Sequence, residues 1–236
     1  KKLVVGYSLG WDVLCTVMQF LPFTLGMVLI VTLGDLFSGE ERTGMVPILR
    51  SSKYGRASLL KCKLGAAVTI TTVLWILFQL VMLMTIALTY TLRGATCTVL
   101  LFNGKPSIYG LNWLTYYLLQ CAYSYLGTLV FTLFICCLSS ILPLRLSMPL
   151  DLTITLLTGI PMNHFCYADQ AFDLLDKCRA MMPSQLMAAH PTLQVYQSYA
   201  FGNVIIQLPY VTAAAILIES GLLLWFLHCR EGEKAT

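Results

Sequence analysis

The sequence predicts an all-α polytopic membrane protein, and three observations lead to this fold class. Hydrophobic residues make up 58% of the chain, charged residues make up only 11%, and the mean hydropathy is +0.76. Soluble domains carry about a quarter charged residues, so this composition excludes an ordinary soluble fold. Apolar runs long enough to cross a membrane as helices recur along the chain. Polar segments separate these runs, and the most basic of them covers residues 38–63.

Five membrane spans are expected from the apolar runs. The first covers about residues 11–37, with Trp11 as an interfacial anchor at one edge. Pro22 can kink this span without breaking it, because neighbouring helices satisfy the freed carbonyl group. The other four spans cover about residues 64–92, 111–142, 149–166 and 209–228.

Residues 167–207 differ from the rest of the chain. They are too polar to span a membrane and too apolar to form a free loop. Ala171, Leu174 and Leu175 keep helical spacing, Pro183 is expected to end that helix, and Gly202-Asn203 marks a later break. The segment therefore predicts two short helices that lie in the outer membrane interface or dip into it.

Charge predicts the orientation of the chain. Residues 38–63 hold six of the fifteen Lys and Arg residues, and basic loops stay in the cytoplasm. On this topology the inner segments hold nine basic residues and the outer segments hold six, with the carboxyl end cytoplasmic. Orientation accounts for the net charge of +4, so no nucleic-acid partner is expected. The predicted outer amino end leads us to expect one further span before Lys1.

Three sequence patterns that are typical of other protein classes are rejected, because the residues in or around them do not fit those classes. The chain has nine Cys residues but no C-x-x-C pair, which argues against a zinc or redox site. Residues 6–10 match the G-x-S-x-G nucleophile elbow, but a membrane span follows them where a parallel sheet is required. The string closest to a phosphate-binding loop, Asn103-Gly104-Lys105-Pro106, lacks the first Gly and the hydroxyl residue. This chain is therefore not expected to hydrolyse ATP.

The basic segment also contains a predicted short helix. Ser38 and Glu41 form a capping box, which would begin a helix at Gly39. Met45, Ile48 and Leu49 then share one helical face. An apolar face on a cytoplasmic helix favours docking to a partner, and the alternative is a solvated connector.

The same segment also contains a Phe-x-x-Glu-Glu-x-x-Gly stretch directly after a span, from Phe37 to Gly44. In this stretch the chain resembles the permease subunits of type-2 ABC exporters. A Leu-x-Ser-Ser element begins at Leu49, a Tyr-Gly-Arg element begins at Tyr54, and Lys61 or Lys63 opens the next span. The outer sequence Met182-Pro183-Ser184 is also similar to a Leu-Pro segment of that family.

The resemblance implies a fold and a set of partners. It implies six spans, a coupling helix over residues 40–52, and a separate cytosolic ATPase subunit that binds ATP and Mg. This chain would bind no cofactor itself, would contact membrane lipid, and would pair with a second copy or a related permease in a bacterial plasma membrane. The coupling residues implied on this basis are Glu40, Glu41, Arg42, Met45, Ile48, Leu49 and Arg50.

Four polar residues within the spans are candidates for the substrate path. Glu219 lies near the centre of the last span, where a carboxylate costs about 2.5–3.5 kcal/mol, which marks it as functional by default. It is expected to be protonated, exposed to water, or hydrogen-bonded to a group such as Gln79, and interhelical contact is the plain alternative. Gln120 and Ser124 begin a stripe of small and polar residues that lines a cavity or packs closely against another helix.

An ATP-driven exporter is the leading functional hypothesis. A membrane-embedded enzyme and a channel or sensor that uses no ATP are the alternatives. No paired acid–base or metal-ligating residues occur in the spans to favour an enzyme. The sequence leaves the substrate open, and it does not distinguish a homodimer from a heterodimer.

Overall fold

The structure is a computed structural model that describes residues 9–34, 36, 55–99, 101–102, 105–106, 110–142, 144–159, 181–187, 198–201 and 204–233. This part of the chain is mostly helical. The helices are α1 (Leu9–Val17), α2 (Leu21–Leu33), α3 (Gly55–Tyr90), α4 (Trp113–Ile141), α5 (Leu144–Gly159), α6 (Pro183–Leu186) and α7 (Leu208–Glu233). The short strands are β1 (Leu101–Phe102), β2 (Lys105–Pro106), β3 (Ser198–Phe201) and β4 (Val204–Gln207).

Three helices are long and apolar enough to cross a membrane, which supports a membrane-embedded protein. Their apolar segments are Leu59–Tyr90, Trp113–Ile141 and Pro209–Arg230. They coincide with three of the five predicted spans, 64–92, 111–142 and 209–228. The predicted span 149–166 corresponds to α5 as far as Gly159, and residues 160–166 lie outside the described part of the chain.

The predicted first span is not one continuous helix. One turn of 3₁₀ helix, Met18–Phe20, separates α1 from α2. Pro22 falls in the first turn of α2, where its missing N–H group breaks no helical hydrogen bond. A change of helix type therefore lies just before the proline, at the place where the kink was expected.

Helix α3 begins well before the membrane span that was predicted from hydropathy. The span was expected to start near residue 64, but the helix starts at Gly55 and runs for 36 residues to Tyr90. Long, unbranched basic side chains such as Lys61 and Lys63 are good helix formers, so the helix continues through the polar end of the basic segment. The basic segment from Gly55 onward and the membrane span therefore form one continuous helix.

Helix α4 is the centre of the bundle. It contacts α1, α2, α3, α5, α6 and α7. Half of the residues in its most apolar part are buried, whereas only 17% of the residues in the corresponding parts of α3 and α7 are buried. Helices α3 and α7 therefore lie at the periphery, where side chains such as Leu88 and Leu217 are 84% and 73% exposed.

Two connections of this mostly helical structure contain short β-strands, which the sequence analysis did not predict. Strands β1 and β2 pair antiparallel between α3 and α4, and β3 and β4 pair antiparallel just before α7. Two-residue gaps separate the strands of each pair, as in tight hairpins, and Gly202-Asn203 fills the second gap. Of the two outer helices expected over 167–207, most residues lie outside the described ranges, and the described residues from Ser198 to Gln207 form this hairpin instead of a helix.

Pro183 begins a short helix, and the helix that it was expected to end falls mainly on residues 160–180, outside the described ranges. It occupies the first turn of α6, a position that suits proline because the N–H group there has no intrahelical partner. Met187, directly after α6, is completely buried in the main hydrophobic cluster with residues of α2 and α4. Helix α6 therefore reaches the interior of the bundle.

Candidate functional site

A row of polar side chains joins α3 to α4. Thr71, Trp75 and Gln79 lie four residues apart on α3, and so share one face of that helix. The Thr71 hydroxyl lies 2.8 Å from the Thr132 hydroxyl, and Trp75 Nε1 donates to Ser124 Oγ at 3.4 Å. We call this row the α3–α4 seam. As the residue numbers on α3 increase along the row, those of their partners on α4 decrease, so the two helices run antiparallel.

The seam ends in a buried cluster at the junction of α1, α3 and α4. Tyr117 donates its hydroxyl proton to Gln79 Oε1 at 3.4 Å, and Cys121 Sγ lies 4.0 Å from the same oxygen. Gln120 Nε2 donates to the Cys15 carbonyl of α1 at 3.2 Å. Gln120 is fully buried and Gln79 is 7% exposed. Of the predicted path residues, Gln79 and Ser124 thus lie in the α3–α4 seam, and Gln120 contacts α1 at its end.

We expect Thr71→Val and Thr132→Val each to destabilise the bundle slightly. Hydrogen bonds between membrane helices contribute about 0.6 kcal/mol on average, and the two hydroxyls of this pair face each other across the seam. The double variant should therefore cost less than the sum of the two single variants, in a double-mutant cycle of thermal unfolding in detergent. Strict additivity of the two single effects would mean that the Thr71–Thr132 hydrogen bond does not form.

Glu219 does not join the seam. It lies on the peripheral helix α7, half-buried, with Oε2 sealed from solvent and without a hydrogen-bond partner among the described residues. Of the three alternatives expected for Glu219, a hydrogen bond to Gln79 is not observed, because neither Gln79 Nε2 nor Glu219 Oε2 has a hydrogen-bond partner among the described residues. The position of a residue along a span does not show which helices are neighbours, so the distance between Glu219 and Gln79 could not be predicted from the sequence.

Asp151 is a buried acid that the sequence-based predictions did not select. It lies in the middle of α5, 1% exposed, and neither carboxylate oxygen has a hydrogen-bond partner among the described residues. The same face of α5 packs on α2, where Thr155 lies against Gly26 and Met148 lies against Gly34. The signal was present in the sequence, because an acidic residue inside an apolar run marks a functional position by default.

Gly127 provides a close contact between the backbones of α4 and α6. A Cβ atom at this position would overlap the Leu186 carbonyl oxygen and would lie 2.7 Å from the Met187 amide nitrogen. The end of α6 therefore contacts the α4 backbone directly. The contact lies 14 residues from the start of α4, a distance of about 20 Å along the helix axis. Gly127 and the neighbouring Thr128 belong to the predicted small and polar stripe, and at Gly127 that stripe serves close packing.

The predicted coupling residues cannot be placed in the fold. Glu40, Glu41, Arg42, Met45, Ile48, Leu49 and Arg50 all lie outside the described residues. Within the described ranges, no group of three or more His, Cys, Asp and Glu side chains is arranged to hold a metal ion.

Comparison of the chain with protein-family models, with curated proteins and with solved structures finds no match. The candidate site therefore rests on the residues and contacts described above.

Proposed function

We propose that this chain is the membrane-spanning permease subunit of an ATP-driven exporter of the type-2 ABC class, with five spans in this sequence. The observation that carries the proposal is the motif from Phe37 to Arg56, which leads directly into the long helix α3. In this reading, residues 40–52 dock on a separate cytosolic ATPase, and the carboxyl end of the chain is also cytoplasmic.

The continuity of α3 supports a mechanical role for the basic segment. Because the helix starts at Gly55, inside that segment, a displacement of residues 40–52 is passed to a rigid rod that begins only a few residues later. ATP binding would close the ATPase subunits and displace the coupling helix. Rigid-body motion of packed elements is a common way to transmit such a change.

The α3–α4 seam supports a path for that motion into the bundle. Thr71, Trp75 and Gln79 tie α3 to α4 by side-chain contacts, so the two helices are expected to move together. Since α4 contacts all the other described α-helices, a shift of this pair changes their packing as well. The exposed apolar faces of α3 and α7 are available to lipid or to a second permease.

If residues 40–52 dock on the ATPase, charged residues on the apolar face of the coupling helix should release the ATPase. Replacing Met45, Ile48 and Leu49 together by Asp places three carboxylates in a buried contact, which should reduce the co-purified ATPase by about a hundred-fold or more. Quantitative mass spectrometry of the purified complex, in mild detergent, measures the ratio of ATPase to permease.

The matched control replaces Val73, Ile76 and Leu77 by Ala on the exposed face of α3. This variant also changes three apolar residues but should keep the ATPase bound, since these positions face lipid. If the Asp variant folds and retains the ATPase at the wild-type ratio, residues 45–49 are not the docking site.

A further inference from the structure

The face of α5 that points into the bundle is polar. Of the α5 side chains that the structure describes, the three buried ones are Ser147, Asp151 and Thr155, which follow one another at intervals of four residues. We call these residues the α5 stripe. The apolar residues Leu146 and Leu150 are exposed instead. Because residues four apart share one face of a helix, α5 turns its polar face inward and an apolar face outward, the reverse of a surface helix in a soluble domain.

Asp151 lies at the centre of this stripe, where α5 packs closely on α2. A Cβ atom on Gly26 of α2 would lie 3.4 Å from Thr155 Cγ2, and one on Gly34 would lie 3.1 Å from Met148 Cγ. These two contacts set an antiparallel register, so Asp151 falls between them along the helix pair. The carboxyl group is therefore enclosed between two points of close helix–helix contact.

Both carboxylate oxygens of Asp151 are sealed from solvent, and neither has a hydrogen-bond partner in the part of the chain that the structure describes. Helix α5 contacts α2, α4 and α6, and the sequences of α2 and α6 contain no ionisable residue. From α4, the thiol of Cys136 interacts electrostatically with Asp151 and also with Lys63 of α3. On α5 itself, Arg145 is exposed near the start of the helix.

These surroundings determine which ligand the carboxyl group can hold while α5 is packed on α2. A carboxylate without water or a partner costs far more than a neutral carboxyl group in the same place. A metal ion needs several ligands, but the Thr155 hydroxyl already donates to the Asp151 backbone carbonyl at 2.7 Å, and the described residues of α2 and α6 add no carboxylate, imidazole or thiol. The ligand that fits the packed state is a proton.

We propose that Asp151 is a proton-binding site, which holds its proton while α5 is packed on α2 and releases it when the two helices separate. Separation admits water to the carboxyl group. The O–H bond then breaks, its electron pair stays on the carboxylate oxygen, and the proton passes to a water molecule. Repacking of α5 on α2 takes a proton back from water. The α2–α5 contact is thus coupled to proton binding through a single residue.

Infrared spectroscopy of the purified full chain tests for the bound proton directly. At about pH 6 a carboxyl group in water is about 99% ionised, whereas Asp151 should still give the carbonyl stretching band of a protonated carboxyl group. Asp151→Asn should remove this band, and Glu219→Gln, which changes a carboxyl group on α7, should leave it in place. A difference spectrum between wild type and Asp151→Asn that contains only bands of an ionised carboxylate would overturn the proposal.

A thiol at the α2–α5 contact tests whether loss of the proton opens it. Thr155→Cys places this thiol against Gly26, and N-ethylmaleimide labels it when α5 separates from α2. A change from about pH 6 to about pH 9 should raise its labelling by about ten-fold or more, relative to the exposed Cys62 and Cys229, which correct for thiol reactivity. With Asp151→Asn added, the side chain cannot ionise, so this increase should disappear.

The buried Cys15 separates local opening from general loss of structure. It lies on α1 in a different hydrophobic cluster, and peptide mass spectrometry reads its labelling separately, which should stay low at each pH. Equal pH dependence of labelling at position 155 with Asp151 and with Asn would overturn the coupling, and so would a parallel rise at Cys15. All these measurements use this chain without an ATPase, so their outcome is independent of the exporter proposal.

Discussion

Replacing Gly127 by Ala is expected to destabilise the folded bundle by about 3 kcal/mol. The added methyl group would overlap the Leu186 carbonyl group, which belongs to the backbone and cannot rotate away as a side chain can. Relief requires α6 to move off α4, and Met187 would then leave the main hydrophobic cluster. The midpoint of thermal unfolding in detergent measures the loss, together with the fraction of monodisperse protein after purification.

The control for this prediction is Gly221→Ala on α7. Gly221 is exposed, and a methyl group added there would have no atom within 4 Å, so the substitution should leave stability within about 0.5 kcal/mol of the wild type. If Gly127→Ala behaves like Gly221→Ala, then α6 does not rest on the middle of α4.

Replacing Asp151 by Leu is expected to stabilise the protein by about 2 kcal/mol. Burial strips the carboxyl group of water without giving it a hydrogen-bond partner among the described residues, and Leu has the same branching without that penalty. Natural sequences keep such a costly residue when function requires it. Under the exporter proposal, we therefore expect the stabilised variant to lose the ATP-dependent transport proposed for this chain, with thermal unfolding and transport measured on the same preparation.

Asp151→Asn serves as the matched comparison. It keeps the shape and a polar group, so its stability should stay close to that of the wild type and below that of the Leu variant. A Leu variant that is clearly less stable than the wild type would mean that Asp151 has a strong partner in the folded protein. A Leu variant with full transport would remove the functional interpretation of this residue.

The sequence predicts the long membrane helices well, because length and hydropathy report the membrane-spanning segments directly. It also points to close packing at Gly127, since small residues on one helix face let backbones approach. Helix limits are less predictable. Helix α3 extends back to Gly55 because a helix can continue past the membrane surface through residues with high helix propensity.

Partner choice between helices could not be read from the sequence. Gln79 and Glu219 both lie within apolar spans, yet Gln79 contacts Tyr117 while Glu219 lies on the peripheral helix α7. Their separation depends on the order of helices around α4, which hydropathy does not encode. The hairpin at β3 and β4 was missed for a related reason, because short apolar runs fit both a helix and a strand.

We propose that a cytosolic ATPase binds this chain at the basic segment. A photo-cross-linking amino acid at position 48 tests this proposal most directly. Illumination of intact cells should yield one major adduct, in which Ile48 is replaced by the cross-linker and joined to a nucleotide-binding ATPase. The same cross-linker at the exposed position Leu88 on α3 should give no such adduct. Adducts at position 48 that contain only lipid or other membrane proteins would contradict the account.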